Sequence, residues 1–361
     1  MPNSAIVNRA GRWLLQSGIQ EPSGGVARYY RADLQENRLV STEITGYAIS
    51  SLVYLHALTQ GDAYRAAAHR AGLFLTRLAW NAKLQAFPFE HDETAPAEEY
   101  AYFFDSGIIV RGLLSLWRLT RDREVLDVAA ACGRAMAAAF AADDGAYHPI
   151  LKLPSKEPLP REPRWSRSPG CYQLKAAMAW YELFEATGEA AFERAYNQAL
   201  DFALRTQESF LPGSEDSFQV MDRLHAYGYF LEGLLPRLNW PACAAALRAG
   251  LSRMAAVLGR IAPVFRRSDV YAQLLRMRLY AEAAGVAPVD RLSAEDEARQ
   301  LAGFAIDSRD QRLHGGFYFG FKQGQWLPHV NPVSTGFGLQ ALAMWDQYRN
   351  DRLQASRQAL I

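Results

Sequence analysis

The segment STEITGYAISSLVYLHALTQGDAYRAAAHRAGLFLTRLA, from Ser41 to Ala79, contains two helices of different kinds in succession. Residues 42–59 are apolar and aromatic around most of the helical circumference, the composition of a helix buried on most faces. Residues 61–79 repeat apolar side chains at helical spacing but carry a polar stripe, Asp62, Arg65, His69, Arg70 and Arg77, so that one side faces water. Almost nothing separates the two, which makes them a helical hairpin.

Outward from this segment the same alternation recurs along the chain. Amphipathic, Ala- and Arg-rich helices are expected at 3–19, 61–79, 122–141, 188–207, 240–260 and 292–307. More uniformly apolar ones are expected at 42–59, 105–120, 169–187, 222–238, 268–284 and 332–348. The second kind begins about every 45 to 65 residues, the sequence mark of a repeat architecture. Strict alternation of water-facing and buried helices predicts an outer ring around an inner ring. The expected fold is therefore all-α, an (α/α)6 toroid of six helical hairpins over 1–350 with a C-terminal tail, 351–361.

The connections are unequal. Those from an inner to the next outer helix are short, as from Asn239 to Pro241. Those from an outer to the next inner helix are mostly long and carry Gly, Pro and aromatics: Glu21 to Ser41, Leu84 to Phe104, Gly145 to Ser168, Phe210 to Met221 and Asp310 to Asn331. Gly315 to Trp326 alternates enough to form a small β-hairpin at that end of the ring. Long loops on a rigid scaffold carry function, and inner-helix N-termini offer unpaired N–H groups to a ligand.

Composition narrows the classes of ligand. Lysine plus arginine (39) balance aspartate plus glutamate (38), so no global field attracts nucleic acid or an anionic membrane. The N-terminal stretch mixes Asn3, Asn8, Arg9 and Arg12 with its apolar residues, and no run of about 18 apolar residues follows. Neither secretion nor membrane insertion is expected, and the expected location is the cytoplasm. Cys132, Cys171 and Cys243 lack metal-ligand spacing and read as small core residues. No metal and no cofactor is expected, and the oligomeric state is not legible.

The first turns of the inner helices are unusually polar for such apolar segments. They supply Glu43, with Tyr47 a turn later; Tyr102 and Asp105; Trp165, Arg167 and Tyr172; His225 and Tyr227; Arg267, Asp269 and Tyr271; and finally Trp326, His329 and Asn331. Glu43, Asp105, His225 and Asp269 are the candidate catalytic groups, because carboxylates and imidazole perform acid–base work. The aromatic, Arg and Asn side chains are candidate substrate contacts, since aromatic faces bury the apolar face of a pyranose. Glu43 and Asp105 read equally as helix-capping residues, and Arg267 with Asp269 as a structural ion pair.

The alternating helices, together with the Gly-Gly turns at Ser23-Gly24-Gly25-Val26 and His314-Gly315-Gly316-Phe317, resemble the six-hairpin glycosidase-like (α/α)6 toroid superfamily. Its members include unsaturated uronyl hydrolases, polysaccharide lyases and N-acylglucosamine 2-epimerases. Glu43-Ile44-Thr45-Gly46-Tyr47 and Asn331-Pro332-Val333-Ser334-Thr335-Gly336 look like segments of bacterial surface-polysaccharide proteins. The resemblance implies an enzyme acting on a glycan, an oligosaccharide or polysaccharide that includes uronic acid among its candidate sugars, by hydrolysis, epimerisation or elimination. A non-catalytic glycan-binding scaffold is the alternative. An isoprenoid-binding toroid fits less well, for the chain lacks an Asp-rich ionisation motif and a zinc-type Cys/His arrangement.

Overall fold

The computed structural model describes residues 3–91 and 99–361; the remainder of the Leu84 to Phe104 connection lies outside the described residues. Its helices in chain order are α1 (Asn3–Gln16), α2 (Thr42–Thr59), α3 (Asp62–Leu73, continued by a π-helical turn over Phe74–Ala79), α4 (Phe103–Thr120), α5 (Arg123–Ala139), α6 (Leu174–Thr187), α7 (Ala190–Phe210), α8 (Ser217–Gly233), α9 (Pro241–Ile261), α10 (Ser268–Ala283), α11 (Arg291–Ala302) and α12 (Pro332–Arg349). All twelve expected helices are present. Three inner helices start elsewhere than expected, each for a local reason. Pro169-Gly170 and a 3₁₀ turn at Cys171–Gln173 delay α6. Asp216 starts α8 early by accepting a hydrogen bond from Phe218 N at 2.8 Å, and α8 stops before Pro236. α4 begins at Phe103, so Asp105 lies inside its first turn and is not its N-cap.

The chain divides into two compact units. One holds Gln20–Ala27 and Leu39–Gln207; the other holds α1 through Ile19, Arg28–Arg38 and Glu208–Ile361. In the first, α4 packs between α2 and α6, with α3 on α2 and α5 on α4; Tyr181 of α6 meets Tyr196 of α7 at 5.3 Å. In the second, α10 packs between α8 and α12, with α9 on α8, α11 on α10 and α1 on α12. Each unit is thus three inner helices backed by three outer ones. α9 is long and apolar enough to cross a membrane, at a mean hydropathy of 1.2. It is nonetheless an outer helix of this fold: Leu247, Met254 and Leu258 are buried, and Arg248 and Arg253 donate to the Val286 and Glu208 carbonyls at 3.0 Å. All three cysteines are buried. Residues 351–361 lie against α10 and α12, where the Tyr280 hydroxyl donates to Ser356 O at 2.8 Å and Leu360 is 1 % exposed.

Helices with no water-facing side must satisfy their charges among themselves. Glu182 of α6 accepts from Arg111 Nε at 2.8 Å and Arg118 Nη1 at 2.9 Å, both on α4. Burial works to raise this carboxyl, and the two guanidinium groups overcome it and hold it ionised. In the other unit Arg276 of α10 donates to Glu232 of α8 at 2.5 Å and to Gln340 of α12 at 2.9 Å, and lies over the Phe337 ring at 3.9 Å. One side chain pins three inner helices.

Strands of two or three residues form four three-stranded sheets. Val40–Ser41, Tyr100–Tyr102, Phe265–Arg267 and His329–Val330 lead directly, or after Asn331, into α2, α4, α10 and α12. Such strands are too short to show a period of two in sequence, which is why only the hairpin was legible. That hairpin pairs Gly320–Lys322 with Gln325–Trp326 around Gln323-Gly324, both at positive φ.

The inner helices of the first unit approach through glycine. A Cβ on Gly112 of α4 would stand 2.4 Å from the Gly46 carbonyl oxygen of α2, whereas one on Gly259 of α9 would meet nothing within 4 Å. Gly112→Ala is expected to destabilise by about 1–3 kcal/mol, and Gly259→Ala to stabilise by up to about 1 kcal/mol. Urea midpoints of the two variants, moving in opposite directions, check both.

Candidate functional site

The strand Phe265–Arg267 delivers Arg267 to the start of α10, and Ser268 secures the junction by donating its hydroxyl to Tyr318 O at 2.8 Å. Arg267 is the N-cap residue but has no capping side chain; instead Asp269 Oδ1 accepts from the Val270 N–H at 2.9 Å. The Arg267 guanidinium then closes on Asp269 through Nε at 3.0 Å and Nη2 at 2.6 Å, and reaches Asp222 of α8 through Nη1 at 2.6 Å. Its plane covers the Phe319 ring at 4.4 Å. Arg267 is 6 % exposed and Asp269 2 %, so the pair is held out of water. Burial alone raises the Asp269 carboxyl; Arg267, aided by His225, more than reverses this and keeps it ionised.

His225 of α8 completes the cluster. Its Nδ1 lies 2.8 Å from Gln273 Oε1 and 3.5 Å from Asp269 Oδ2. Two acceptors facing one ring nitrogen fix the proton on Nδ1 and leave the lone pair on Nε2. Nε2 has no hydrogen-bond partner among the described residues. Burial pushes the imidazole below the ordinary histidine range, against the pull of Asp269 and with the push of Arg267. The ring is therefore neutral at neutral pH, and its contact with Asp269 is a hydrogen-bonding one and not an ion pair. Tyr229 packs beside it at 4.4 Å between ring centroids.

Gln273 sits one helical turn beyond Asp269, on the same face of α10. It is fully buried, its Nε2 has no partner among the described residues, and its amide lies against Gly228 of α8, where an added Cβ would come within 2.7 Å. The absence of a side chain at 228 is what admits it.

The remaining candidates of this unit fall in three places. His329 packs against Tyr29 at 4.9 Å and Phe319 at 6.3 Å, so that Phe319 stands between His329 and the Arg267 guanidinium. Its pKa is lowered by partial burial and then by Arg31. Asn331 caps α12, its Oδ1 accepting from Ser334 N at 2.6 Å. Tyr227 points outward instead: its hydroxyl lies 3.2 Å from the Cβ position of Gly250 on α9. Tyr271 likewise lines a cavity among α9, α10 and α11. Trp326 stacks on Tyr318 at 5.0 Å and is in register with Phe321, which pairs with Arg266, so it shares the sheet face opposite to Arg267.

In the other unit, Ser41 caps α2 by accepting from Ile44 N at 3.3 Å, and Glu43 is a half-buried first-turn residue with Tyr47 buried behind it. Tyr102 packs on Phe89 at 4.8 Å and Trp165 on Tyr172 at 5.0 Å. Tyr172 donates to Ser168 O at 3.1 Å, and Arg167 pairs with Glu162 at 3.3 Å on the surface. Asp105 is 7 % exposed. Among the described residues no three His, Cys, Asp or Glu side chains converge as a metal site.

Inner helices backed by outer helices in three-hairpin units define an (α/α)6 toroid, the six-hairpin glycosidase-like fold. No protein-family model matches the chain, and no curated protein matches it in sequence. Solved structures do. It superposes on cellobiose 2-epimerase from Bacillus thermoamylovorans with a TM-score of 0.71 at 12 % identity, covering 94 % of this chain and 99 % of that one. A sugar epimerase from a ruminal bacterium gives 0.69 at 13 % identity over 95 % and 99 %, and a D-mannose isomerase 0.69 at 10 % over 94 % and 97 %. At these identities the likeness is one of fold.

The Arg267–Asp269 pair is open to a stability test. Asp269→Asn removes the buried counter-charge of Arg267, leaving it only the exposed Asp222, and is expected to cost about 3–5 kcal/mol, whereas Arg267→Met with Asp269→Leu costs less than that single change. Urea denaturation of the single and double variants provides the comparison.

Proposed function

We propose that the protein is a sugar epimerase or aldose–ketose isomerase that moves a proton at the carbon beside the carbonyl of a neutral sugar. The observation that carries this reading is the state of His225: a neutral imidazole, its proton fixed on Nδ1 by Gln273 and Asp269, with Nε2 open. Such a group accepts a proton. Asp269, by contrast, has both oxygens engaged by Arg267 and is held ionised, so it suits neither the general acid nor the nucleophile of a glycosidase.

In the open-chain aldose, His225 Nε2 takes the proton from C2. The C–H electron pair moves into the C1–C2 bond, and the carbonyl oxygen takes a proton from solvent to become an enediol oxygen. Return of a proton to the opposite face of C2, with loss of the O1 proton, gives the epimer; delivery to C1, with loss of the O2 proton, gives the ketose. Folds similar to this one occur in proteins named cellobiose 2-epimerase and D-mannose isomerase, which supports a sugar substrate.

Arg267 argues against a uronic acid. Each of its three nitrogens already donates to Asp269 or Asp222, so its charge is engaged within the cluster and not held for a substrate carboxylate. The same point weakens a lyase reading, which requires that carboxylate to be neutralised.

Incubation with glucose, mannose and cellobiose in D2O is expected to give uncleaved products one mass unit heavier, with deuterium at C2 or C1. Shortened products, or no solvent hydrogen in any product, would overturn the reading. His225→Asn is expected to lower turnover at least 1,000-fold while leaving the melting temperature within about 2 °C.

The base works when deprotonated, and its pKa is depressed from 6.5. The rate is therefore expected to hold from neutral pH down through 6.5 and to fall only at lower pH. A kcat/KM profile with an acid limb at or above 6.5 contradicts the assignment.

A further inference from the structure

Outside the His225 cluster, a cavity of about 760 Å³ opens between the outer helices α9 and α11, floored by α10. It is lined by Gly259 of α9, Arg266, Tyr271 and Arg278 around α10, and Glu297 and Gln300 of α11. Its volume lies in the range of small-molecule sites. Leu292, Asp296 and Gln300 line it on successive turns of α11, which makes it about 12 Å long.

Part of the charge along it is matched within the wall. Arg278 Nε bonds both oxygens of Glu297, at 2.9 and 3.0 Å, and Arg266 Nη1 donates to Gln300 Oε1 at 2.9 Å while lying over Phe321. Glu297 is only 6 % exposed; burial pushes its carboxyl up to about 7 against the pull of Arg278. Beyond Arg266 the sheet continues the same face through Phe321 to Trp326, which is 42 % exposed and meets Phe304 at 5.3 Å, itself 6.3 Å from Tyr271.

Two arginines, Arg266 and Arg278, and two acidic residues, Asp296 and Glu297, line the groove, so neither sign of charge dominates, and an apolar ligand meets guanidinium, carboxyl, amide and phenol groups. Planar hydrogen-bonding side chains together with Leu258 and Leu274, and an exposed indole on the adjoining sheet face, suit rings that have hydroxyl edges and C–H faces. We propose that this groove is a second ligand site, separate from the His225 cluster, that holds a neutral oligosaccharide chain of more than one sugar unit. The strand Phe265–Arg267 joins the two places: Arg266 faces the groove and Arg267, its neighbour, faces Asp269 and His225.

The test uses the full chain and isothermal titration with cellohexaose, maltohexaose and mannohexaose as probes. Gly259→Phe plugs the groove from a position whose Cβ meets nothing within 4 Å, so folding is retained and is checked by melting temperature. At least one probe is expected to bind the wild type, and Gly259→Phe to weaken it at least tenfold. Gln300→Ala is expected to weaken the same probe at least threefold. Absence of binding by all three probes, or binding that Gly259→Phe leaves unchanged, overturns the proposal. Monosaccharide turnover is expected to be unaltered in both variants. Because titration does not require catalysis, loss of the epimerase reading and loss of the groove site are seen in separate measurements.

Discussion

A charge buried on an inner helix has no route to water, so its counter-charge has to come from the helix beside it. Arg111 and Arg118 of α4 find Glu182 of α6, and Arg276 of α10 finds Glu232 of α8 and Gln340 of α12. Each such contact fixes the rotation and the height of one helix against its neighbour, which apolar packing alone leaves more tolerant. The Arg267–Asp269 pair is the same device at the end of α10, and here its third partner is an imidazole. The His225 cluster is thus built with the means that hold the helices together, displaced to where the inner helices begin.

That shared origin explains the mixed character of the cluster. Asp269 both neutralises Arg267 and faces His225; Phe319 carries the guanidinium on one side and approaches His329 on the other. Geometry at the histidine is inherited from packing several residues away, down to Gly228, whose missing side chain makes room for the Gln273 amide. Positioning by rigid secondary structure keeps such a site within the tolerance that proton transfer demands.

Much of the fold was legible because inside and outside differ chemically. α2 ends where residues 42–59 cease to be apolar, and α10 and α12 lie within a residue of their expected limits. The arrangement of the site was less so. A helix apolar all round has no face signal, so nothing in sequence distinguishes His225, turned toward α10, from Tyr227, turned toward α9. Asp269 and Tyr271 part company on α10 in the same way, and Trp326 goes with Arg266 because strand register, invisible in so short a strand, puts it there. Gln273 is polar and one turn beyond Asp269 in sequence, but its bond to His225 depends on the pairing of α8 with α10. Cap chemistry misled in one instance: Asp105 resembles an N-cap, yet Phe103 is apolar enough to be drawn into the helix, where it packs on Tyr147 and Trp180.

The imidazole of His225 is oriented chiefly by an amide, and an amide does not titrate. Orientation and proton affinity are therefore under separate control at this position: Gln273 decides where the ring points at every pH, while the charges on Asp269 and Arg267 decide how tightly it holds a proton. Changing the surrounding charge would shift the pH at which the ring takes up a proton without turning the ring. Two properties that are locked together in a carboxylate–histidine pair can here be tuned one at a time.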